Sequence, residues 1–123
     1  MFKKNTTLAS QYSISGERQL LEYLEGTRKY FDLPLDIRGT EFQKVVWKEL
    51  VKIPYGETIS YKDMAVAIKK SKASRAVGTA NGKNPLCIII PCHRVIASDG
   101  SLGGYSGGLS IKMKLLKLEE GAR

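Results

Sequence analysis

Between Thr40 and Pro85 the chain is punctuated by repeated helix starts and stops, which confines that stretch to short helices. Thr40-Glu41-Phe42-Gln43 has the form of a capping box, and Phe42, Val45, Val46, Leu50 and Ile53 then recur on one helical face. Pro54-Tyr55-Gly56 ends that helix. Ser60, with Asp63 three residues on, opens a second helix to about Lys69. Ser71 is placed to cap a third over the small-residue segment SRAVGTANG, which stops at Gly82 with Asn84-Pro85 beyond. Two short helices joined by a tight turn, the second lined by Ala and Gly, have the layout of a helix-turn-helix. The same pattern suits a plain helical hairpin in which Ala76, Gly78 and Ala80 only permit close packing. Lys69, Lys70, Lys72, Arg75 and Lys83 gather on and around the second helix of the pair, where they can neutralise phosphates.

The flanks are simpler. Residues 1–13 are polar and expected to be mobile. From Gly16, Leu20, Leu21 and Leu24 predict a short helix closed by Gly26, followed by an extended connector, Phe31 to Leu35. Leu86 to Ile90, bounded by Pro85 and Pro91, predicts a short buried strand. Gly103 to Gly108 is a glycine-rich loop able to bring backbone N–H groups near a ligand, or else a plain surface turn. A last helix runs from Leu109 to about Glu120, with Ile111, Leu115 and Leu118 on its apolar stripe. The fold class expected is mainly α: a winged-helix-like helix-turn-helix domain with a short buried strand leading to Cys92.

A chain of 123 residues is one small domain, and 42% hydrophobic with 26% charged residues is ordinary for a globular one. The net charge of +8 is not ordinary and points to a polyanion, either nucleic acid or an anionic membrane surface. No apolar run approaches the roughly 18 residues of a membrane-spanning helix, and the basic start MFKK has no apolar stretch after it. The expected location is the cytoplasm, or the nucleus in a eukaryotic cell. Cys87 and Cys92 lie outside CxxC spacing, and with one histidine they cannot complete a zinc site without carboxylates, so no metal is expected.

The chemistry concentrates in IIIPCHRV, where Cys92 precedes the only histidine, His93. A thiol attacks as thiolate, and an ordinary cysteine pKa of about 8.5 demands a nearby base. Neighbours in an extended chain point to opposite sides, so either the backbone bends after Pro91 or a water joins the two side chains. A histidine base needs its far nitrogen fixed, and Glu119 and Glu120 are the candidates. Cys87 has nothing beside it to activate it and reads as a small buried hydrophobe.

The string RAVGTANGKNPLCIIIPCHRVIASDGSLGGYSGG, preceded by IPYGETISY and followed by a helix ending in Glu, resembles the C-terminal domain of the O6-alkylguanine-DNA alkyltransferases from about Gly39 to Glu119. The resemblance implies transfer of an alkyl group from O6 of guanine, and less well from O4 of thymine, to Cys92. It implies that His93 acts as base through a water and that Glu119 orients His93. Tyr61 would donate a proton to N3 of the leaving guanine and crowd the adjacent phosphate. Asn84 would be the hinge between recognition helix and active site. Arg75 would fill the stack vacated by a flipped nucleotide, with Lys72, Ala76 and Gly78 beside it against the minor groove. The carbonyls of Cys92 and Val95 would accept from the guanine amine, the Ser106 N–H would approach O6, and Tyr105 would wall the pocket.

The same resemblance implies no cofactor, a monomer, and double-stranded DNA carrying O6-alkylguanine as partner. It divides the chain into a segment over 1–38, shorter than the family's N-terminal domain, and a DNA-binding and alkyl-acceptor domain over 39–123. Two other classes remain in view: a cysteine hydrolase, which leaves Arg75 and the net charge unexplained, and a module that binds alkylated DNA without chemistry, which needs no thiol.

Overall fold

A computed structural model describes residues 13–34, 37–105 and 108–121. The elements in order are α1 (Ser13–Leu24), α2 (Glu41–Val51), β1 (Ile59–Ser60), α3 (Tyr61–Ala67), α4 (Ser74–Gly82), a 3-10 turn (Cys92–Arg94), β2 (Val95–Ile96) and α5 (Leu109–Gly121). The fold is mainly helical. Among the described residues one small sheet pairs β1 with β2 in parallel, Ile59 opposite Val95. Among the described residues no helix is long and apolar enough to cross a membrane. The expected mobile leader and Ser106 lie outside the described residues, apart from Ser13 in α1.

The capping box at Thr40 forms with both of its hydrogen bonds. The buried face of α2 is Val46, Trp47 and Leu50, with Phe42 and Ile53 packed alongside, whereas Val45 is exposed. Trp47 takes the place predicted for Val45 because Nε1 finds the Ala80 carbonyl at 2.9 Å, and a buried indole N–H needs such a partner. Ser60 caps α3 by accepting from the Asp63 N–H. Lys69, with φ +62°, stops the helix pair's first member. The next helix starts later than predicted: its N-cap is Ala73, with no side-chain cap, and not Ser71. Met64 and Ala65 of α3 pack with Val77 and Ala80 of α4 against α2, the arrangement of a helix-turn-helix on a supporting helix.

Three expectations are corrected. Leu86 to Ile90 is buried or half-buried as predicted, but it is a tight turn, not a strand. The Ile90 N–H donates back to the Leu86 carbonyl at 2.9 Å, and Ile88 sits at φ +78°. Asn84 enforces the reversal: its Nδ2 donates to the Ile90 carbonyl at 2.6 Å and its Oδ1 accepts from the Leu86 N–H at 3.0 Å. In α1 the buried side chains are Gln19 and Tyr23, while Leu21 and Leu24 are exposed. In α5 the buried face is Lys112, Leu115 and Glu119, with Ile111 exposed. Both errors have one cause, since polar groups with strong partners displaced leucines and isoleucine from the inner face.

Candidate active site

The bend after Pro91 is a 3-10 turn, so Cys92 and His93 are not an alternating extended pair. It is held by the Cys92 N–H donating to the Ile90 carbonyl at 2.7 Å and the Arg94 N–H to the Pro91 carbonyl at 3.0 Å. Cys92 is 1% exposed and His93 fully buried. The His93 ring meets Glu119 Oε2 through Nε2 at 2.7 Å. Its Nδ1 is buried with no hydrogen-bond partner among the described residues. Burial holds the imidazole below its ordinary value against the opposing pull of Glu119, so it is neutral at neutral pH.

Glu119 is the junction of the site. Arg94 grips it with Nε to Oε1 and Nη2 to Oε2, both at 2.8 Å, and the Gly56 N–H donates to Oε1 at 3.2 Å. The Tyr23 hydroxyl donates to Oε2. Burial alone would raise this carboxyl, but the hydrogen bonds from His93, Arg94 and Tyr23 outweigh it and bring it to about 2. A firm carboxylate facing Nε2 fixes the tautomer: Nε2 carries the proton and Nδ1 keeps its lone pair. Of the two acidic candidates, Glu119 faces the histidine, while Glu120 is exposed.

The Cys92 thiol lies in the core beside Cys87, Asn84 and Tyr105. The neighbouring Cys87 and burial push it well above an ordinary thiol, so it rests protonated. A cleft of about 560 Å³ runs along α4, lined by Tyr61, Arg75, Gly78, Asn81, Gly104 and Tyr105, among others; of these, Asn81 reaches the Cys92 carbonyl. Such a volume suits a small ligand, for which roughly 300–1,000 Å³ is usual. Arg75 and Ala76 are exposed on the outer face of α4, whereas Val77, Ala80 and Asn81 are buried on its inner face. Lys69, Lys70, Lys72 and Lys83 are exposed around it. Burial raises Tyr61 above its ordinary value of 10, so its hydroxyl keeps its proton. Gly103, at φ +69°, passes so close that an added Cβ would lie 3.0 Å from the Tyr61 ring, a place for glycine alone.

The two carbonyls expected to face a ligand differ. That of Cys92 already accepts from the Val95 N–H and from Asn81 Nδ2, the latter at 3.2 Å, while that of Val95 accepts from Lys112 Nζ at 2.7 Å. Lys112 also donates to the Leu102 carbonyl and, at 3.1 Å, to that of Gly104, which pins the glycine-rich loop. Sequence reasoning missed Tyr23, Asn81, Arg94 and Lys112. Arg94 carried a signal, since an arginine next to a buried motif must be paired. Tyr23 and Lys112 carried none, because each looks like one more member of a surface helix.

Fold and site together define a class: a helix-turn-helix domain with a thiol, an imidazole and a carboxylate buried in series beneath its second helix. The chain belongs to the family described as 6-O-methylguanine DNA methyltransferase, DNA binding domain, which matches residues 41–121. It is 62% identical over 103 residues to the methylated-DNA--protein-cysteine methyltransferase of Methanosarcina barkeri, covering 84% of this chain and 65% of that one. It is 55% identical over 102 residues to the protein of the same name from Mycobacterium bovis, covering 83% of this chain and 62% of that one. Among solved structures, Mycobacterium tuberculosis OGT in complex with DNA superposes with a TM-score of 0.87 at 51% identity, covering 89% of this chain and 68% of that one. The chain thus spans somewhat less than two thirds of the length of these curated relatives.

Proposed function

We propose that this chain repairs DNA by taking the alkyl group of O6-alkylguanine, and less well of O4-alkylthymine, onto Cys92. The observation that carries the reading is the His93 ring: one nitrogen is locked to Glu119 at 2.7 Å and the other, buried and unpartnered among the described residues, is left as a base. A base inside a duplex cannot present its alkyl carbon in line to a thiolate, so the nucleotide is extruded into the cleft beside α4, at a cost of a few kcal/mol. Arg75, at the cleft's rim, fills the gap in the stack, while Ala76 and Gly78 let the helix backbone approach the minor groove and Lys72 meets phosphate.

Cys92 then loses its proton through a bridging water to His93 Nδ1, and Glu119 stabilises the imidazolium. The sulfur attacks the alkyl carbon, the carbon–O6 bond breaks, and the electron pair moves into the guanine ring. Tyr61, which holds its proton, supplies it to N3. Tyr105 walls the pocket, Val95 offers the remaining lone pair of its carbonyl to the guanine amine, the Ser106 N–H approaches O6, and Asn84 keeps the turn that carries Cys92. The product is a thioether, which water cannot cleave as it does an acyl-enzyme thioester, so each molecule acts once. The working place is the cytoplasm, or the nucleus in a eukaryotic cell, and the working form is a monomer.

The test is loss of O6-methylguanine from a duplex oligonucleotide. The wild-type chain removes it, and Cys92→Ser binds the duplex but removes none, since a serine hydroxyl is a far weaker nucleophile at neutral pH. Full repair by Cys92→Ser would overturn the assignment.

A further inference from the structure

The transfer chemistry gives Cys87 no role, yet the fold brings it to the acceptor sulfur. The reversal at Leu86–Ile90 bridges Cys87 to Ile90, and the Cys92 N–H then returns to the Ile90 carbonyl at 2.7 Å. Cys87 and Tyr105 both pack against the core cluster that holds Cys92, and Cys87 lies close enough to the Cys92 thiol to raise it. Neither cysteine is in a disulfide; Cys92 is 1% exposed and Cys87 only half-buried. Cys87 is therefore the more exposed residue of the pair.

We propose that Cys87 is a guard for the acceptor sulfur: under hydrogen peroxide it is oxidised first and closes a reversible disulfide with Cys92 that shields that sulfur from irreversible oxidation. The Cys87 thiol takes one oxygen from peroxide, giving Cys87 sulfenic acid and one water. The Cys92 sulfur then attacks the sulfenic sulfur, the S–O bond breaks, and the hydroxyl leaves with the Cys92 proton as a second water. Two thiols are oxidised by two electrons and one peroxide is reduced. A thiol with a resolving partner in contact stops at the disulfide, which cellular thiols reduce, whereas an isolated one proceeds to sulfinic and sulfonic acids. Intracellular disulfides are mostly of this transient kind. The benefit rests on the single-use reading above: a molecule that reacts once is lost if its sulfur is oxidised first.

The experiment treats the full chain with hydrogen peroxide, blocks remaining thiols with N-ethylmaleimide and weighs the intact protein. The wild type should lose the mass of two hydrogens and take no maleimide, and dithiothreitol should restore two reactive thiols. At the same dose Cys87→Ser should carry several-fold more oxygen adducts on Cys92, which dithiothreitol does not remove beyond the first oxygen. Oxygen adducts on the wild type to the extent seen in Cys87→Ser, or a covalent dimer through Cys87, would overturn the proposal. The mass reading involves no DNA, so a chain that forms the disulfide but transfers no alkyl group would defeat the repair reading and leave this one standing.

Discussion

The hydroxyl of Tyr23 donates to Glu119 Oε2, the same oxygen that His93 Nε2 meets, and it lies 3.4 Å from that nitrogen, 70 residues away in sequence. A side chain of the first helix is thus joined to the carboxylate that orients the proposed base. Tyr23→Phe removes one donor, so more of the carboxylate's charge acts on the imidazole and raises the pKa of His93. The acid limb of the transfer rate should move to higher pH, with a stability loss of about 1.5–3 kcal/mol for a hydrogen bond to a charged group. A uniform fall in rate with an unmoved limb would mean that Tyr23 only supports the fold.

In the wild type the same limb should lie below the ordinary histidine value of 6.5, because burial lowers His93. Transfer should be lost as the pH falls through that depressed value and the base protonates. A limb above 6.5, measured by single-turnover kinetics, would contradict the neutral buried imidazole.

Glu119 also makes stability depend on pH. Its carboxyl is held at about 2 in the fold against 4.5 when free, so the stability it contributes is present above 4.5 and lost as the pH falls toward 2. His93, lowered in the fold, adds to the loss, because the unfolded chain takes up its proton first. The melting temperature should drop between about pH 6 and pH 3. Glu119→Gln, which strands the Arg94 charge at 6% exposure, should cost about 3–5 kcal/mol at neutral pH and flatten the acid dependence. An equal acid slope in both proteins would remove Glu119 from its central place.

Arg75→Ala should hurt repair in duplex much more than reaction with free O6-benzylguanine, since Arg75 stands on the exposed face of α4 while the sulfur is buried. Equal losses on both substrates would show that Arg75 serves the chemistry or the fold instead.

What could be read from the sequence was whatever a local rule governs. The Thr40 box, the Ser60 cap and the Gly26 stop are contacts between near neighbours, and each formed. The pairing of His93 with Glu119 was legible only as a need, since nothing in the chain between them states that α5 returns to the 3-10 turn. The Leu86–Ile90 run has a strand's composition, but the side chain of Asn84 closes it into a turn, and composition cannot show such a bond. Lys112 was hidden for the opposite reason: a lysine on a helix is normally solvated, and this one is buried because three carbonyls, one from β2 and two from the loop after it, converge on it.

An alkyl group added to the packed sulfur at Cys92 overfills its surroundings, and overpacking typically costs about 1–3 kcal/mol. The alkylated protein should melt lower than the free one. An unchanged or raised midpoint would show that the cleft takes the adduct without strain.

The most direct measurement is the intact mass of a known amount of protein after incubation with excess O6-methylguanine duplex, followed by peptide mapping. One added methyl group per molecule is expected, on the peptide carrying Cys92, with as many repaired guanines as protein molecules. No added mass, a methyl group on Cys87, or repaired guanines exceeding protein several-fold would contradict it.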